Sequence, residues 1–409
     1  MEPADTSTSP SRRQGTIAVH GRPAGANCGT QERLYSQGGS PLFSQGGVSE
    51  ATVPIRWRSR IALRDTIEKY SGRLRSLRLS GGTSGGRASA CEFVSQEHMT
   101  RASSNITGRT RLVGLLGWPV EHSLSPGMHN AAFAALGLDW AYVPLPVYPD
   151  HVGEAVRGLR AMGFLGANVT VPHKQTVLQH LDDIAQDALV IGAVNTIVMH
   201  DDQLYGDNTD AVGFLALLDE AGFEPGGGYA AVLGAGGSAR AVVHALAAAG
   251  ARQVLIYNRH IQHGQHICRD MAKFHTGVRF EAHPLQAVRD IGDDVSLLVN
   301  TTSLGMWPDT DSTPWPIDVP IPAHLAVCDL VYSPTETLFL TQARAVGAEI
   351  IGGLGMLVHQ GAAAFRMWTG QPAPLDVMRA ACQTPLPQAS AGSTPNGAPL
   401  GGPGRWRSG

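Results

Sequence analysis

The chain has 409 residues, 43% of them hydrophobic, enough for two or three domains with real cores. Its formal charge of −3, from 31 basic and 34 acidic side chains, excludes an overall basic nucleic-acid binder and an acidic solvating protein. That mean hides a join. Residues 1–98 hold 13 basic and 8 acidic side chains, a net of +5, and the rest hold 18 and 26, a net of −8. Cys28, Cys91, Cys268, Cys328 and Cys382 show no C-x-x-C spacing, which argues against a disulfide framework or zinc knuckle and for a reducing compartment. No apolar run approaches the roughly 18 residues of a membrane span, and the N-terminus lacks the apolar core of a signal peptide. The expectation is a cytoplasmic protein that contacts neither membrane nor nucleic acid.

Residues 1–108 show no sustained apolar period. Gly/Ser clusters (SQGGSPLFSQGG, SGGTSGGRAS) alternate with arginine patches such as RWRSR, the composition of a disordered extension. Ile61–Leu79 has the pattern of a basic amphipathic helix, so a targeting or nucleic-acid arm is the alternative. A third reading puts the native start at Met99, just before the first folded pattern. From Arg111, RLVGLLGWP reads as a buried strand. SPGMHNAAFAALGL reads as a helix with Ser125 as N-cap, Pro126 at its first position and Gly137 closing it. A strand (WAYVPLPV), a helix (HVGEAVRGLRAMG) and a strand (LGANVTVP) follow. The alternation resumes at Tyr229 and runs to about Ile351, implying an α/β protein with a mostly parallel sheet. GMLVHQGAAAFRMWTG is a last, Ala-rich helix stopped by Gly370, and residues 383–409 read as a disordered tail.

The most legible motif lies in YAAVLGAGGSARAVVHALAAAGARQVLIYNRH. A strand runs into Gly234, Ala235, Gly236, Gly237 and Ser238, and a helix and a second strand follow. Gly234 permits the tight turn, Gly236 lets a pyrophosphate approach the backbone, and Ala239 allows close helix–strand packing. Free N–H groups and the helix dipole then hold phosphates. At the end of the second strand stand Asn258, Arg259 and His260, with no carboxylate to take a ribose hydroxyl or repel a phosphate. Arg259 fits a 2′-phosphate, so NADP(H) is expected over NAD(H).

Arginine is the default cation here, 28 against three lysines: Lys69, Lys174 and Lys273. Lysine is the cation whose proton can be removed. Lys174 follows a strand in GANVTVPHK, with Pro172 expected to open the next helix. Asp210 ends GDNTD, either capping a helix that begins near Val212 or forming an acid–base pair with Lys174. Ser123 and Ser125 in HSLSP would point the same way on an extended segment and could grip one carboxylate. His122, His129, His173 and His359 show no metal-ligand spacing, and no metal site is expected. The Asp182/Asp183 and Asp201/Asp202 pairs read as solvated charges.

Together, PVEHSLSP, GANVTVPHK, GAVNT, GDNTD, GAGGSARA, NTTSLGM, DLVYSPTET and GLGMLVHQGAAAF resemble the shikimate dehydrogenase family in order, over about residues 111–382. The resemblance implies reversible NADPH-dependent reduction of 3-dehydroshikimate to shikimate, in chorismate and aromatic amino-acid biosynthesis. It implies a substrate-binding domain (109–209 and 353–382), a Rossmann NADP-binding domain (210–352), and the active site in the cleft between them. On the same resemblance, Ser123 and Ser125 would hold the substrate carboxylate. Thr170, Asn195, Asp210, Tyr332 and Gln360 would surround the ring, with Lys174 and Asp210 as the acid–base dyad. Gly234, Ala235, Gly236, Gly237, Ser238, Asn258 and Arg259 would hold the cofactor, and Leu330 and Gly353 would border its nicotinamide. The implied partner is the small-molecule substrate, and the implied state a monomer or homodimer. The chain departs from the family pattern at Ala211 and at His260 and His263, which would soften the 2′-phosphate clamp. A catabolic quinate/shikimate dehydrogenase and a non-catalytic shikimate or NADP sensor are the alternatives.

Overall fold

The computed structural model describes residues 106–383. The expected extension up to residue 105, with Met99, and the expected tail after residue 383 lie outside the described residues. Two six-stranded sheets organise the rest.

The first sheet contains β1 (Arg111–Gly117), β2 (Trp140–Pro146), β3 (Gly166–Val169), β4 (Asp183–Ile184), β5 (Thr196–His200) and β6 (Gln203–Asp207), in the order β2-β1-β3-β5-β6-β4. β2, β1 and β3 are parallel, joined through the helices α1 (Ser125–Ala135) and α2 (Val152–Ala161). β5 then runs antiparallel to both β3 and β6. The reversal is local. Asp201 and Asp202 take φ of 49° and 59° and form the two-residue turn of a β5–β6 hairpin, closed by the pair His200 and Gln203. These two aspartates are turn residues and not merely solvated charges, because a short polar side chain tolerates the left-handed backbone that the turn demands.

Two further expectations change at element ends. Ser125 is the first residue of α1, with Leu124 as its cap and no side-chain cap bond. The Ser123–Ser125 stretch is therefore a turn running into a helix and not an extended strand. After β3 no α-helix opens at Pro172; a turn leads to the short 3-10 helix Thr176–His180, and Lys174 stands in that turn.

The second sheet contains β7 (Tyr229–Leu233), β8 (Gln253–Asn258), β9 (Arg279–Pro284), β10 (Val295–Asn300), β11 (Ala326–Asp329) and β12 (Glu349–Gly352). All are parallel, in the order β12-β11-β10-β7-β8-β9. This is the doubly wound order, and its switch point falls between β7 and β10, where a ligand finds room beyond the strand ends. The remaining helices are α3 (Gln186–Ile191), α4 (Asp210–Ala221), α5 (Gly237–Ala248), α6 (Ile261–Ala272), α7 (Leu338–Ala345), α8 (Leu354–Thr369) and α9 (Leu375–Gln383).

Helix α4 links the two sheets. Phe214 and Leu218 share one apolar cluster with Ile191, with Val242 and Leu246 of α5, and with Val232 and Val299 of the second sheet. On another face α4 lies close against α8: a Cβ on Gly213 would stand 2.8 Å from the Gln360 backbone nitrogen. After the second sheet, α8 and α9 return to the first. Val358, Phe365 and Met378 pack with Val113, Leu115, Met128 and Phe133.

Candidate active site

Four elements of distant sequence converge where β3 and β6 end and β5 begins. Lys174 Nζ lies 2.6 Å from Asp210 Oδ2, with side chains only 12% and 6% exposed. Desolvation makes such a pair hold its geometry, since neither charge has water to replace its partner. Asn195 Nδ2 donates to Asp210 Oδ1 at 2.8 Å, fixing the other carboxylate oxygen. Asp210 does not cap α4; it is the helix's first residue, and its backbone N–H donates to Asn208 Oδ1 at 3.0 Å. Gln360 arrives from α8, its Oε1 3.4 Å from the Asn195 amide and its own Nε2–H on the Leu357 carbonyl. The hairpin register, with Thr196 opposite Asp207, is what brings Asn195 to Asp210.

Lys174 also reaches the glycine loop, its Nζ 3.4 Å from Ser238 Oγ. A Cβ on Gly237 would stand 3.1 Å from Lys174 Cβ, so the lysine stem packs directly on that loop. Gly234 has φ 110°, closed to a side chain, and a Cβ there would meet Thr301 Oγ1 at 2.6 Å. Gly236 caps α5 with no side-chain cap bond, and a Cβ there would meet nothing within 4 Å. Helix N–H groups without a side-chain cap, facing open space, suit a pyrophosphate. Residues 234–238 therefore fit a dinucleotide. Asn258 Nδ2 holds the His260 carbonyl at 2.9 Å, Arg259 is exposed, and the His260 and His263 rings stand 5.6 Å apart.

The two serines meet differently from the extended-segment expectation. Ser125 N–H donates to Ser123 Oγ at 3.2 Å. Ser123 lies beside Tyr332, whose phenol burial holds above the usual tyrosine range, and Ser125 lies beside Tyr142, which burial also holds above that range. Thr170 sits beyond β3 with its backbone N–H on Leu116 O at 2.8 Å. Leu330 and Gly353 touch, the Leu330 carbonyl lying where a Gly353 side chain would be. Lys174, Asp210, Asn195, Gln360 and Ser238 thus form one bonded network, Ser123 and Ser125 a bonded pair beside Tyr332, and Asn258 and Arg259 stand at the end of β8.

Three parts of the chain match known domains. The shikimate dehydrogenase substrate binding domain matches residues 115–197, shikimate / quinate 5-dehydrogenase matches 226–304, and the shikimate 5'-dehydrogenase C-terminal domain matches 353–383. The shikimate dehydrogenase (NADP(+)) of Symbiobacterium thermophilum is 47% identical over 290 residues, 70% of this chain and 99% of the relative. The chain belongs to the shikimate dehydrogenase family. Another NADP(+) member, from Moorella thermoacetica, is 47% identical over 292 residues, 70% of this chain and 97% of its own. Among solved family members, the Thermus thermophilus shikimate 5-dehydrogenase in complex with NADP(H) and shikimate is 39% identical. It superposes with a TM-score of 0.59, over 66% of this chain and 98% of that one.

Several residues of the site escaped the sequence reading. Asp329 is fully buried; its Oδ1 accepts from Asn300 Nδ2 at 2.9 Å and the Val331 N–H at 3.0 Å, and its Oδ2 from Thr337 Oγ1 at 2.6 Å. Burial raises its pKa despite these three donors. The carboxylate ties together the segments after β10 and β11, the second carrying Leu330 and Tyr332. Tyr142 O–H donates to Asn168 Oδ1 at 2.9 Å, and Asn168 Nδ2 to Thr196 Oγ1 at 3.1 Å, which ties β2 to β3 and β5. Polar residues at the ends of apolar strands were the available signal. Among the described residues no group of His, Cys, Asp and Glu is placed to hold a metal, and no helix is long and apolar enough to cross a membrane.

Proposed function

We propose that this chain is a shikimate dehydrogenase that reversibly reduces 3-dehydroshikimate with NADPH, in a cleft between a substrate-binding part (109–209 and 353–382) and a Rossmann NADP-binding part (210–352). The observation that carries the reading is the position of Lys174, bonded to buried Asp210 and touching Ser238 of the glycine loop. It puts a removable proton between the substrate network and the dinucleotide cradle.

NADPH, when bound, supplies the hydride. Residues 234–238 hold its pyrophosphate on the N-terminus of α5, and Asn258 and Arg259 hold the adenosine ribose and its 2′-phosphate. Leu330 and Gly353 border the nicotinamide. Ser123 and Ser125 hold the substrate carboxylate, and Thr170, Asn195, Tyr332 and Gln360 orient the ring. Lys174 gives its proton to the carbonyl oxygen as negative charge develops there, and takes one back in the oxidation. Asp210, held by Asn195, keeps the ammonium aimed. The free thiols of Cys268, Cys328 and Cys382 suit a reducing, cytoplasmic setting. Every residue in the scheme belongs to one chain, so a monomer suffices and a homodimer is compatible.

The test is formation of the reduced dinucleotide, NADPH from NADP+ or NADH from NAD+, with shikimate and with quinate as the substrate. Turnover should be fastest with shikimate and NADP+. Arg259→Ala should lower kcat/KM for NADP+ about tenfold or more and leave NAD+ nearly unchanged, the pattern of a lost phosphate contact. A preference for quinate with NAD+ would establish the catabolic alternative, and binding of both ligands without turnover would establish a sensor.

A further inference from the structure

The segment after β10 reaches the loop that carries the two serines. Gly305 turns it, with φ 87° and its N–H on Ser312 Oγ at 2.8 Å. The Trp307 N–H donates to the carbonyl of Ser333, the neighbour of Tyr332, at 2.9 Å. The Trp307 indole then meets the His122 imidazole edge-on, with ring centroids 4.2 Å apart and planes at 60°. His122 directly precedes Ser123, which lies beside Tyr332. Trp307 therefore bridges the serine loop and the segment that carries Tyr332 and Ser333. Trp307 remains 48% exposed, so its contact with His122 is a surface closure and not part of a core.

We propose that Trp307 is a positioning residue: packed on His122, it closes the carboxylate end of the substrate cleft and sets how tightly the substrate is held. This rests on the function proposed above. The physical reason is dielectric, because hydroxyl–carboxylate hydrogen bonds strengthen when water is kept away from them. Edge-on aromatic pairs of this kind contribute enough to change an equilibrium about three- to tenfold.

Steady-state kinetics of Trp307→Ala, Trp307→Phe, His122→Ala and the double variant His122→Ala/Trp307→Ala read this directly. In Trp307→Ala the KM for shikimate should rise about three- to tenfold, with kcat equal or higher and the KM for NADP+ unchanged. Trp307→Phe should restore most of the loss, and the double variant should be no worse than Trp307→Ala alone. An unchanged shikimate KM in Trp307→Ala, or an equal rise in the KM for NADP+, would overturn the proposal while leaving the enzyme's function standing. Absence of shikimate turnover in the unmodified protein would remove both.

Discussion

The two sheets build their shares of the site by different means. Around the all-parallel sheet, main-chain N–H groups at the start of α5 and an open space at Gly236 make the proposed dinucleotide cradle. Around the mixed sheet, side chains make the proposed acid–base site: Lys174, Asn195, Asp210 and Gln360 come from four separate parts of the chain and meet within a few ångströms. A backbone site needs only correct local spacing, whereas a side-chain site needs the whole tertiary fold. The first should therefore fail by obstruction, with the fold intact, and the second by loss of single groups.

The largest effect should come from the side-chain half. Lys174→Ala removes the proposed acid, and kcat should fall roughly 10²–10⁴-fold with little change in the KM for shikimate. NADP+ affinity, measured by fluorescence titration, should stay within about threefold, because the cradle is built from other atoms. Intact turnover in this variant would show that the assigned acid is wrong.

Each half also buries a histidine, and the pair predicts how stability depends on pH. His129 lies beneath the first sheet, stacked on Tyr142 at 4.5 Å with neither ring nitrogen hydrogen-bonded, and burial lowers its pKa from 6.5 to about 3. His244 lies in α5, 3.1 Å from His275, and burial together with that neighbour lowers it from 6.5 to about 4. Asp187 stands 3.9 Å from its other nitrogen. Both folded pKa values lie below the unfolded value, so the unfolded chain takes up protons first. Stability contributed by the neutral rings is complete above pH 6.5 and is lost as pH falls toward 4 and then 3. The loss should be on the order of 3 kcal/mol for each histidine. Urea unfolding between pH 6.5 and 4 should show it, with a slope reduced by about one proton in His244→Gln. An unchanged slope would show that His244 is protonated equally in both states.

The backbone half is tested by Gly236→Val. The glycine's φ of −88° suits any residue, and an added Cβ meets no atom of the protein within 4 Å, so the fold should persist, with the thermal midpoint lowered by no more than the roughly 1 kcal/mol that a poorer helix cap costs. The valine instead fills the cradle, and NADP+ affinity should fall about 10²-fold, from the lost pyrophosphate contacts and the clash. Shikimate binding should persist. A variant that unfolds, or one that binds NADP+ normally, would break the distinction between the halves.

The same contrast explains what could be read from the sequence. The span Tyr229–Asn258 was legible because strand, glycine turn, helix and second strand are consecutive, and their chemistry is that of the backbone. The pairing of Lys174 with Asp210 was open between a cap and a dyad until the family motifs suggested the dyad. They stand 36 positions apart, and the chain between them folds through the β5–β6 hairpin, whose turn lacks the usual Asn-Gly signal. Ser123 and Ser125 were read on the wrong local geometry, since a turn and a helix start look like a short extended stretch when Pro126 follows. Asp329 was hidden because an aspartate at a strand end is ordinarily solvated; only the fold shows three donors closing over it.

That hairpin also supports the smallest effect worth measuring. Its turn sets the register that places Asn195 2.8 Å from Asp210, yet both turn residues pay for a left-handed backbone and stand as like charges side by side. Replacing Asp201 and Asp202 with Asn and Gly keeps the loop length and supplies the residues that such a turn prefers, so stability should rise about 0.5–1 kcal/mol with kcat unchanged. The ion pair lost between His200 and Asp201 is exposed and offsets little of this. Deleting Asp202 instead shortens the loop by one, and a one-residue slip turns every β6 side chain to the opposite face. Asp210 would then leave Asn195 and Lys174, and activity should be lost although the turn lies at the far end of the strands. Equal activity in the substituted and deleted variants would show that the register of this hairpin does not position the site.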